Sequence, residues 1–270
     1  MRGPLVSIIV TTHNNQATLE DCLFSITNQD YKNRELIVVD NVSTDGTVKI
    51  AKTFTKLVFN KGPERSAQRN YAVSKTKGDY ILIIDSDMVL PPTVVDECVK
   101  AITKKTQSAI IPEQSFGKGF WAQCKALERS FYNGVDAIEA PRFFSKAVYQ
   151  QAGGYDEHMA GGEDWDLGYR VRKLTSIART TSPIMHNEGN PTLKTIVSKR
   201  RYYTKGFKSY YAKANIKTYS TSTAKQVINV YLLFLKHPLK LIKNPFVGIG
   251  MLYMKTLEFG TLAIGSMSKS

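Results

Sequence analysis

A short β-branched run, a break and a helix-spaced set of apolar residues open this chain, and the repetition of that unit constrains the fold more than any other feature. Leu5–Thr11 is the first run, His13-Asn14-Asn15 breaks it, and Leu19, Cys22, Leu23 and Ile26 follow at helical spacing. Glu35–Asp40 reads as a buried strand and Gly46–Thr55 as a helix. Leu57–Phe59 is strand-like, and a helix near Arg65–Ser74 leads into a strand over Asp79–Ile84. Strands and helices alternating within about ninety residues predict a parallel, doubly wound α/β sheet. Ligands of such sheets sit at the carboxyl ends of the strands. Asp40 and Asp85 both stand at strand carboxyl ends, so the pattern brings them to one crevice although 45 residues separate them.

Past residue 90 the pattern loosens. Pro91-Pro92 starts another helix, Ser108–Ile111 is a further strand, and Phe116 to Gly134 is rich in aromatics and glycine. Residues 138–191 read as short strands with one helix, from about Glu163 to Lys173, an α+β half that completes the site.

Asp85-Ser86-Asp87 follows the apolar run Tyr80-Ile81-Leu82-Ile83-Ile84. In an extended tail residues i and i+2 point the same way, so the two carboxylates are expected to face one hard cation at the sheet edge. Mg2+ or Mn2+ held by one or two carboxylates takes its other ligands from water and substrate phosphates, which suits a nucleoside diphosphate leaving group.

Charge is unevenly spread. Residues 1–191 hold 23 Lys+Arg and 22 Asp+Glu, whereas residues 192–270 hold 14 Lys+Arg and a single acid, Glu258. Such a block attaches to something anionic, either nucleic acid or an acidic membrane face. Cys22, Cys98 and Cys124 are odd in number and widely spaced, suggesting neither a disulfide framework nor a zinc site. The N-terminus lacks a long apolar h-region, so the catalytic part is expected on the cytosolic side.

The ordered set of motifs resembles the family 2 glycosyltransferases of the GT-A fold, over roughly residues 4–190, and the resemblance implies an α/β fold with a mixed, mainly parallel central sheet. The matching pieces are Val6 to Thr12, Ile37 to Thr47, Arg69-Asn70 before Gly78-Asp79, Asp85-Ser86-Asp87, Gly153-Gly154-Tyr155-Asp156 and Gly162-Glu163-Asp164. Asn41 departs from the pattern, since many relatives carry a second aspartate there. The resemblance implies a nucleotide-binding set of Thr11, Asp40, Arg69, Asp85 and Ser86, with Asp40 accepting from a base N–H and Arg69 forking onto the diphosphate. Capping of the turn to Asp45-Gly46 is the competing role for Asp40. It further implies a Mn2+ or Mg2+ site at Asp85, Asp87 and His186. Asp164 is implied as the general base, with Glu163 beside it raising its basicity or binding acceptor hydroxyls. Arg142, Gly154, Tyr155 and Trp165 are implied on the sugar or acceptor side.

Three segments are expected: a GT-A domain over 1–191, a basic amphipathic interfacial helix over 192–218, and a membrane-associated helical hairpin over 219–270. Ile196, Tyr203, Phe207 and Tyr210 recur at helical spacing among lysines and arginines, the composition of a membrane-surface helix. Phe246–Gly265 is 20 residues long, near the length of a span, but contains Lys255 and Glu258 one turn apart and able to pair. Basic residues adjoining apolar runs favour lipid over nucleic acid, so no nucleic-acid partner is expected. Arg201-Tyr202 only faintly echoes the Gln-x-x-Arg-Trp motif of cellulose-synthase-like enzymes, which speaks against processive polymerisation. The expectation is an inverting, non-processive, metal-dependent transferase at the cytoplasmic face of the cell membrane. It would move a sugar, with a lean to mannose from GDP-mannose, to a lipid-linked acceptor such as a polyprenyl phosphate or pyrophosphate glycan. A UDP-sugar donor and a catalytically silent, membrane-tethered GT-A scaffold are the alternatives.

Overall fold

The computed structural model describes residues 3–159, 161–213 and 223–267. Strands β1 (Val6–Thr12), β2 (Arg34–Asp40), β3 (Val58–Asn60) and β4 (Tyr80–Asp85) alternate with helices α1 (Leu19–Thr27), α2 (Thr47–Phe54) and α3 (Arg65–Lys75). There follow β5 (Met88–Val89), α4 (Val94–Ala101), β6 (Thr106–Ile110), β7 (Glu113–Phe116), α5 (Gly119–Ser130), β8 (Phe143–Ser145), α6 (Lys146–Gln151) and α7 (Glu163–Arg172). The chain continues through β9 (Ser176–Arg179), β10 (Ile184–Asn187), α8 (Leu193–Lys213), α9 (Thr223–Leu235), α10 (Pro238–Ile242) and α11 (Pro245–Met267). Two compact units result: Met1–Gln114 with Gly134–His158 and Glu163–Asn187, and Ser115–Asn133 with Met159–Gly162 and Glu188–Ser270.

The first unit is built on a seven-stranded sheet of order β3-β2-β1-β4-β8-β6-β9, and a three-stranded sheet has the order β5-β10-β7. β1 runs parallel to β2 and β4, while β8 is antiparallel to β4 and β6, so the large sheet is mixed and mainly parallel. Alternation along the strands assigns the two faces. Val6, Ile8 and Val10 of β1 pack with Leu23 of α1, Ala51 of α2 and Cys98 of α4. Ile9 faces the other way with Ile37 and Ile83, toward Ala72 of α3 and Leu167 of α7. All seven residues of β1 are buried, as a parallel strand covered on both faces requires. Register then fixes the site: Thr12 lies opposite Asp40 and Thr11 opposite Asp85, so both acids end strands flanking β1 at one sheet edge.

The second unit shows where the sequence pattern misleads. The stretch from Phe116 to Gly134 contains the twelve-residue helix α5. Its Cys124, together with Phe131, joins Ile196 of α8, Phe234 of α9 and Val247, Met251 and Met254 of α11 in one core. Ile196, expected on a lipid-facing stripe, is thus an interior residue, because burial against other helices removes the same apolar area from water as lipid would. The side chains of Phe207 and Tyr210 and all of residues 214–222 lie outside the described residues.

Among the described residues no helix is long and apolar enough to cross a membrane. In α11 the interruption is a built feature: Lys255 pairs with Glu258 at 2.9 Å, as their spacing predicts, and also with Glu128 of α5 at 2.5 Å. Lys125 reaches Glu128 at 3.0 Å, and the Tyr132 hydroxyl donates to the same carboxylate at 2.7 Å. Burial alone would raise the Glu128 carboxyl; Lys125 and Lys255 instead hold it well below its ordinary value.

Candidate active site

The loops that follow β1 and β2 are stitched side by side at the sheet edge. Asn14 N–H donates to Ser43 Oγ and Thr44 N–H to Asn14 Oδ1, both at 2.8 Å. Asn14 and Val42 take left-handed backbone angles, φ 49° and 51°, a conformation that strains a β-branched residue such as Val42. Asp40 is 2% exposed, accepts Ser43 N–H at 2.7 Å on Oδ2 and accepts the Ser43 hydroxyl on Oδ1. Both oxygens therefore hold the β2–α2 turn. Asn41, in place of a second aspartate, donates to the Pro63 carbonyl at 2.7 Å and ties this loop to the one after β3. Thr11 and Thr12 bring buried hydroxyls to the same edge, and neither has a hydrogen-bond partner among the described residues. Ser86 is buried beside them, its hydroxyl accepting from Asn15 Nδ2.

Arg69 organises the centre. It projects from α3 with no exposed surface, donating through Nη2 to Asp85 at 2.8 Å and through Nη1 to Asp164 at 3.0 Å and Glu163 at 3.4 Å. Its plane lies 4.8 Å from the centroid of the Tyr155 ring. Where the sequence reading expected Arg69 to fork onto a diphosphate, its Nη1 and Nη2 here meet carboxylates, sealed from solvent, while Nε has no hydrogen-bond partner among the described residues. Asp85 Oδ2 in turn meets Arg142 at 3.2 Å, and Arg142 Nε donates to Glu113 at 2.8 Å. Glu113 Oε2 lies 3.6 Å from His186 Nδ1, and His186 Nε2 lies 3.3 Å from Asp87. Arg65 closes the other end on Glu163 at 3.1 Å. A single chain of alternating charge thus runs from Arg65 through Glu163, Arg69, Asp85 and Arg142 to Glu113, and His186 lies between Glu113 and Asp87 at its end.

Charge distribution along this chain sets protonation. Burial pushes the Asp85 carboxyl up, but Arg69, then Arg142 and Arg65, hold it well below the carboxylate range. Burial and then neighbouring Asp164 raise Glu163, which Arg65 and Arg69 offset only in part. Glu163 is 3% exposed, while the side chain of Asp164 keeps 31% of its surface open. Of the two adjacent acids, Asp164 is the one a solute reaches.

The extended tail expected for Asp85-Ser86-Asp87 is a turn between β4 and β5. Asp85 consequently engages the arginines while Asp87 engages His186. β5 pairs antiparallel with β10, which sets His186 opposite Met88, and Asn187 N–H donates to the Asp87 carbonyl at 2.8 Å. Among the described residues no three His, Cys, Asp or Glu side chains converge as a metal-ligand group. One carboxylate fits Mg2+ or Mn2+, which leave most positions to water and phosphate oxygens, and the imidazole beside it suits the transition metal Mn2+ better than Mg2+.

The residues expected on the sugar or acceptor side divide. Arg142 belongs to the charge chain. Gly154 adopts φ +67°, and a Cβ there would stand 2.8 Å from Asn70 Oδ1. That oxygen accepts Tyr155 N–H at 2.9 Å, and Asn70 Nδ2 donates to the Tyr155 carbonyl at 2.8 Å, so Gly154 lets α3 clasp the segment that carries the ring under Arg69. Tyr155 itself is buried. Trp165 Nε1 donates to the Ile138 carbonyl at 2.7 Å, anchoring the loop ahead of β8. Sequence reading missed Arg65 and Glu113. Neither sits in a motif, and only the pairing of distant elements reveals them.

The model of the glycosyl transferase family 2 matches residues 7–158, more than half of the chain. This chain belongs to glycosyl transferase family 2. It is 37% identical over 117 residues to the putative glycosyltransferase EpsE of Bacillus subtilis, covering 40% of this chain and 42% of that one. It is 29% identical over 114 residues to glycosyltransferase GlyG of Streptococcus pneumoniae, covering 40% and 38%. The matched part thus spans less than half the length of these curated relatives. Among solved structures, the mannosyltransferase PcManGT of Pyrobaculum calidifontis, in complex with GDP-Man and Mn2+, aligns with TM-score 0.59 at 17% identity, covering 99% of this chain and 76% of that chain. TarS 1-349 of S. aureus aligns with TM-score 0.58 at 15% identity, covering 95% and 88%. At such identities the likeness is one of fold, and the fold of this family 2 member is that of its GT-A neighbours.

Proposed function

We propose that this chain transfers one sugar from a nucleoside diphosphate donor, with a lean to GDP-mannose, to a lipid-linked acceptor at the cytoplasmic face of the cell membrane, inverting the anomeric carbon. The observation that carries the proposal is the charge chain that links partly open Asp164 to the Asp87–His186 pair across the strand ends. Thr11, Asp40 and Ser86 border the donor nucleoside, with the buried Thr11 hydroxyl offered as a hydrogen-bonding group. Asp87 and His186 would hold the divalent cation, which when bound would offset charge on the leaving diphosphate. Asp164 takes the proton of the acceptor hydroxyl as that oxygen bonds to the anomeric carbon; the bond to the diphosphate breaks and the nucleoside diphosphate leaves. One in-line displacement inverts the centre. Arg69 positions Asp164 and Asp85 together, and buried Glu163 keeps Arg69 in place. GDP-Man in the PcManGT complex supports the mannosyl donor, and UDP-GlcNAc in a TarS complex supports a UDP-sugar as the second reading.

The test is nucleotide release from a panel of GDP- and UDP-sugars, with Mn2+ or Mg2+, with and without extracted polyprenyl lipids. Release is expected to need one donor, metal and lipid, and to fall by roughly 10²–10⁴ in Asp164→Asn. The anomeric configuration of the product by NMR checks inversion. Equal, negligible release by wild type and variant from every donor overturns the proposal and leaves a silent scaffold.

A further inference from the structure

Helices α9 and α11 each bury one set of apolar residues and expose another, and the short helix α10 between them has no buried residue, with only Leu241 packed partly against the core. In α9, Phe234 is interior whereas Ile228, Leu232 and Leu235, at i, i+4 and i+7, are exposed. In α10, Leu239 is 74% exposed and Ile242 also faces water. In α11, Val247, Met251 and Met254 fill the core, while Phe246, at 82% exposure, Ile249 and Tyr253 are turned outward. The three helices pack on one another and contribute to one core, and these exposed residues lie outside it. Scattered apolar residues are ordinary on a surface, but exposed sets of this kind on three successive helices mark an interaction face.

Charge selects its occupant. Glu258 is the sole acid in residues 192–270, and it is buried with Lys125 and Lys255 in the second unit. Every exposed charge that the segment contributes among the described residues is therefore cationic, and Lys236, Lys240 and Lys243 lie on the surface among these apolar residues. A protein partner of ordinary composition needs no such one-signed rim. An anionic bilayer surface does, with apolar side chains entering the acyl boundary and ammonium groups meeting the head groups.

We propose that the outer face of α9–α11 is a monotopic docking surface for anionic lipid, seated in one leaflet without crossing it. The inference rests on the membrane part of the preceding proposal and is independent of its transfer chemistry. It also differs from the sequence expectation: α9–α11 lie on the lipid by their exposed apolar residues, while the buried residues of α9 and α11 stay in protein.

Vesicle flotation of the full chain tests it, using phosphatidylcholine alone or mixed with phosphatidylglycerol. Binding is expected to the mixed vesicles, to weaken with salt, and to fall at least about tenfold in both Phe246→Glu and Leu239→Ser, whose side chains make no core. Lys236→Gln with Lys243→Gln is expected to remove the preference for phosphatidylglycerol. Nucleotide release in detergent and circular dichroism report whether each variant is folded. Equal flotation of wild type and variants overturns the proposal, as does a dimer by light scattering that Phe246→Glu dissociates, since a second copy would then cover the face. Vesicle binding without release from any donor sinks the transferase reading alone; release without vesicle binding sinks the docking surface alone.

Discussion

Arg69 sits among three carboxylates, Asp85, Glu163 and Asp164, and the local charge closes only because Arg65 and Arg142 stand at the ends of the cluster. Removing one member of a buried ionic group typically costs about 3–5 kcal/mol, because the partners stay desolvated and unpaired. Arg69→Ala is therefore expected to destabilise the protein by an amount of that order in urea unfolding. Arg69→Lys should recover only part of it, since an ammonium cannot fork onto acids from two elements. Glu113 is a subtler case. Its Oε2 lies 3.6 Å from His186 Nδ1 while His186 Nε2 lies 3.3 Å from Asp87, so if Asp87 and His186 take a cation as proposed, Glu113 is the outer carboxylate behind the imidazole. Glu113→Gln is expected to weaken Mn2+ binding about 10–100-fold, read by paramagnetic resonance of free Mn2+ in the absence of donor. At this scale the motif residues stood out in sequence because chemistry concentrates them in short strings. Arg65 and Glu113 did not, because Arg65 meets Glu163 across 98 residues and Glu113 meets His186 only through strand pairing.

Elements place these groups through connections of their own. Glu97 of α4 accepts Thr181 N–H and Ser182 N–H at 2.9 Å each, together with the Ser182 hydroxyl, and so fastens the loop that enters β10 and delivers His186. Burial would raise the Glu97 carboxyl, yet the Ser182 and Thr181 bonds bring it down from 4.5 to about 2. A lowered native pKa stabilises the fold above the ordinary value, and that stabilisation is lost as pH falls from about 4.5 toward 2. Glu97→Gln should accordingly lower the thermal midpoint at pH 7 and flatten its decline over this acid window, measured by calorimetry at stepped pH. Gly154 offers a second element-scale test. Alanine there is strained at φ +67° and meets Asn70 Oδ1 at 2.8 Å, so Gly154→Ala should cost about 1–3 kcal/mol and loosen Tyr155 beneath Arg69. The strands and helices up to β4 were legible from periodicity. The turn at Ser86-Asp87 was not, because i, i+2 alternation holds only while the backbone stays extended.

Over the whole molecule, legibility follows the kind of core. The mainly parallel sheet announces itself because each buried strand reads as a β-branched run between helices. The second unit gathers α5 from the middle of the chain with α8–α11 from its end, and no local pattern reports that α5 shares their core. The same ambiguity affects α11, whose apolar run suits lipid or protein equally until the partners of Lys255 and Glu258 are known. Those partners give the final prediction. Lys125, Glu128, Lys255 and Glu258 are two cations and two anions with little solvent around them, and the Arg200 guanidinium is close enough to act on Lys255. Lys255→Met removes one of the cations that face these two buried carboxylates and should cost about 3–5 kcal/mol. Lys255→Met combined with Glu258→Leu removes one charge of each sign and keeps the Lys125–Glu128 pair, so it should be less destabilising than Lys255→Met alone. Hydrogen exchange across α5 and α11 in the two variants reads the difference. If the double variant exchanges as fast as the single one, the ion quartet is not what holds α11 against α5, and apolar packing around Cys124, Met251 and Met254 must carry that helix instead.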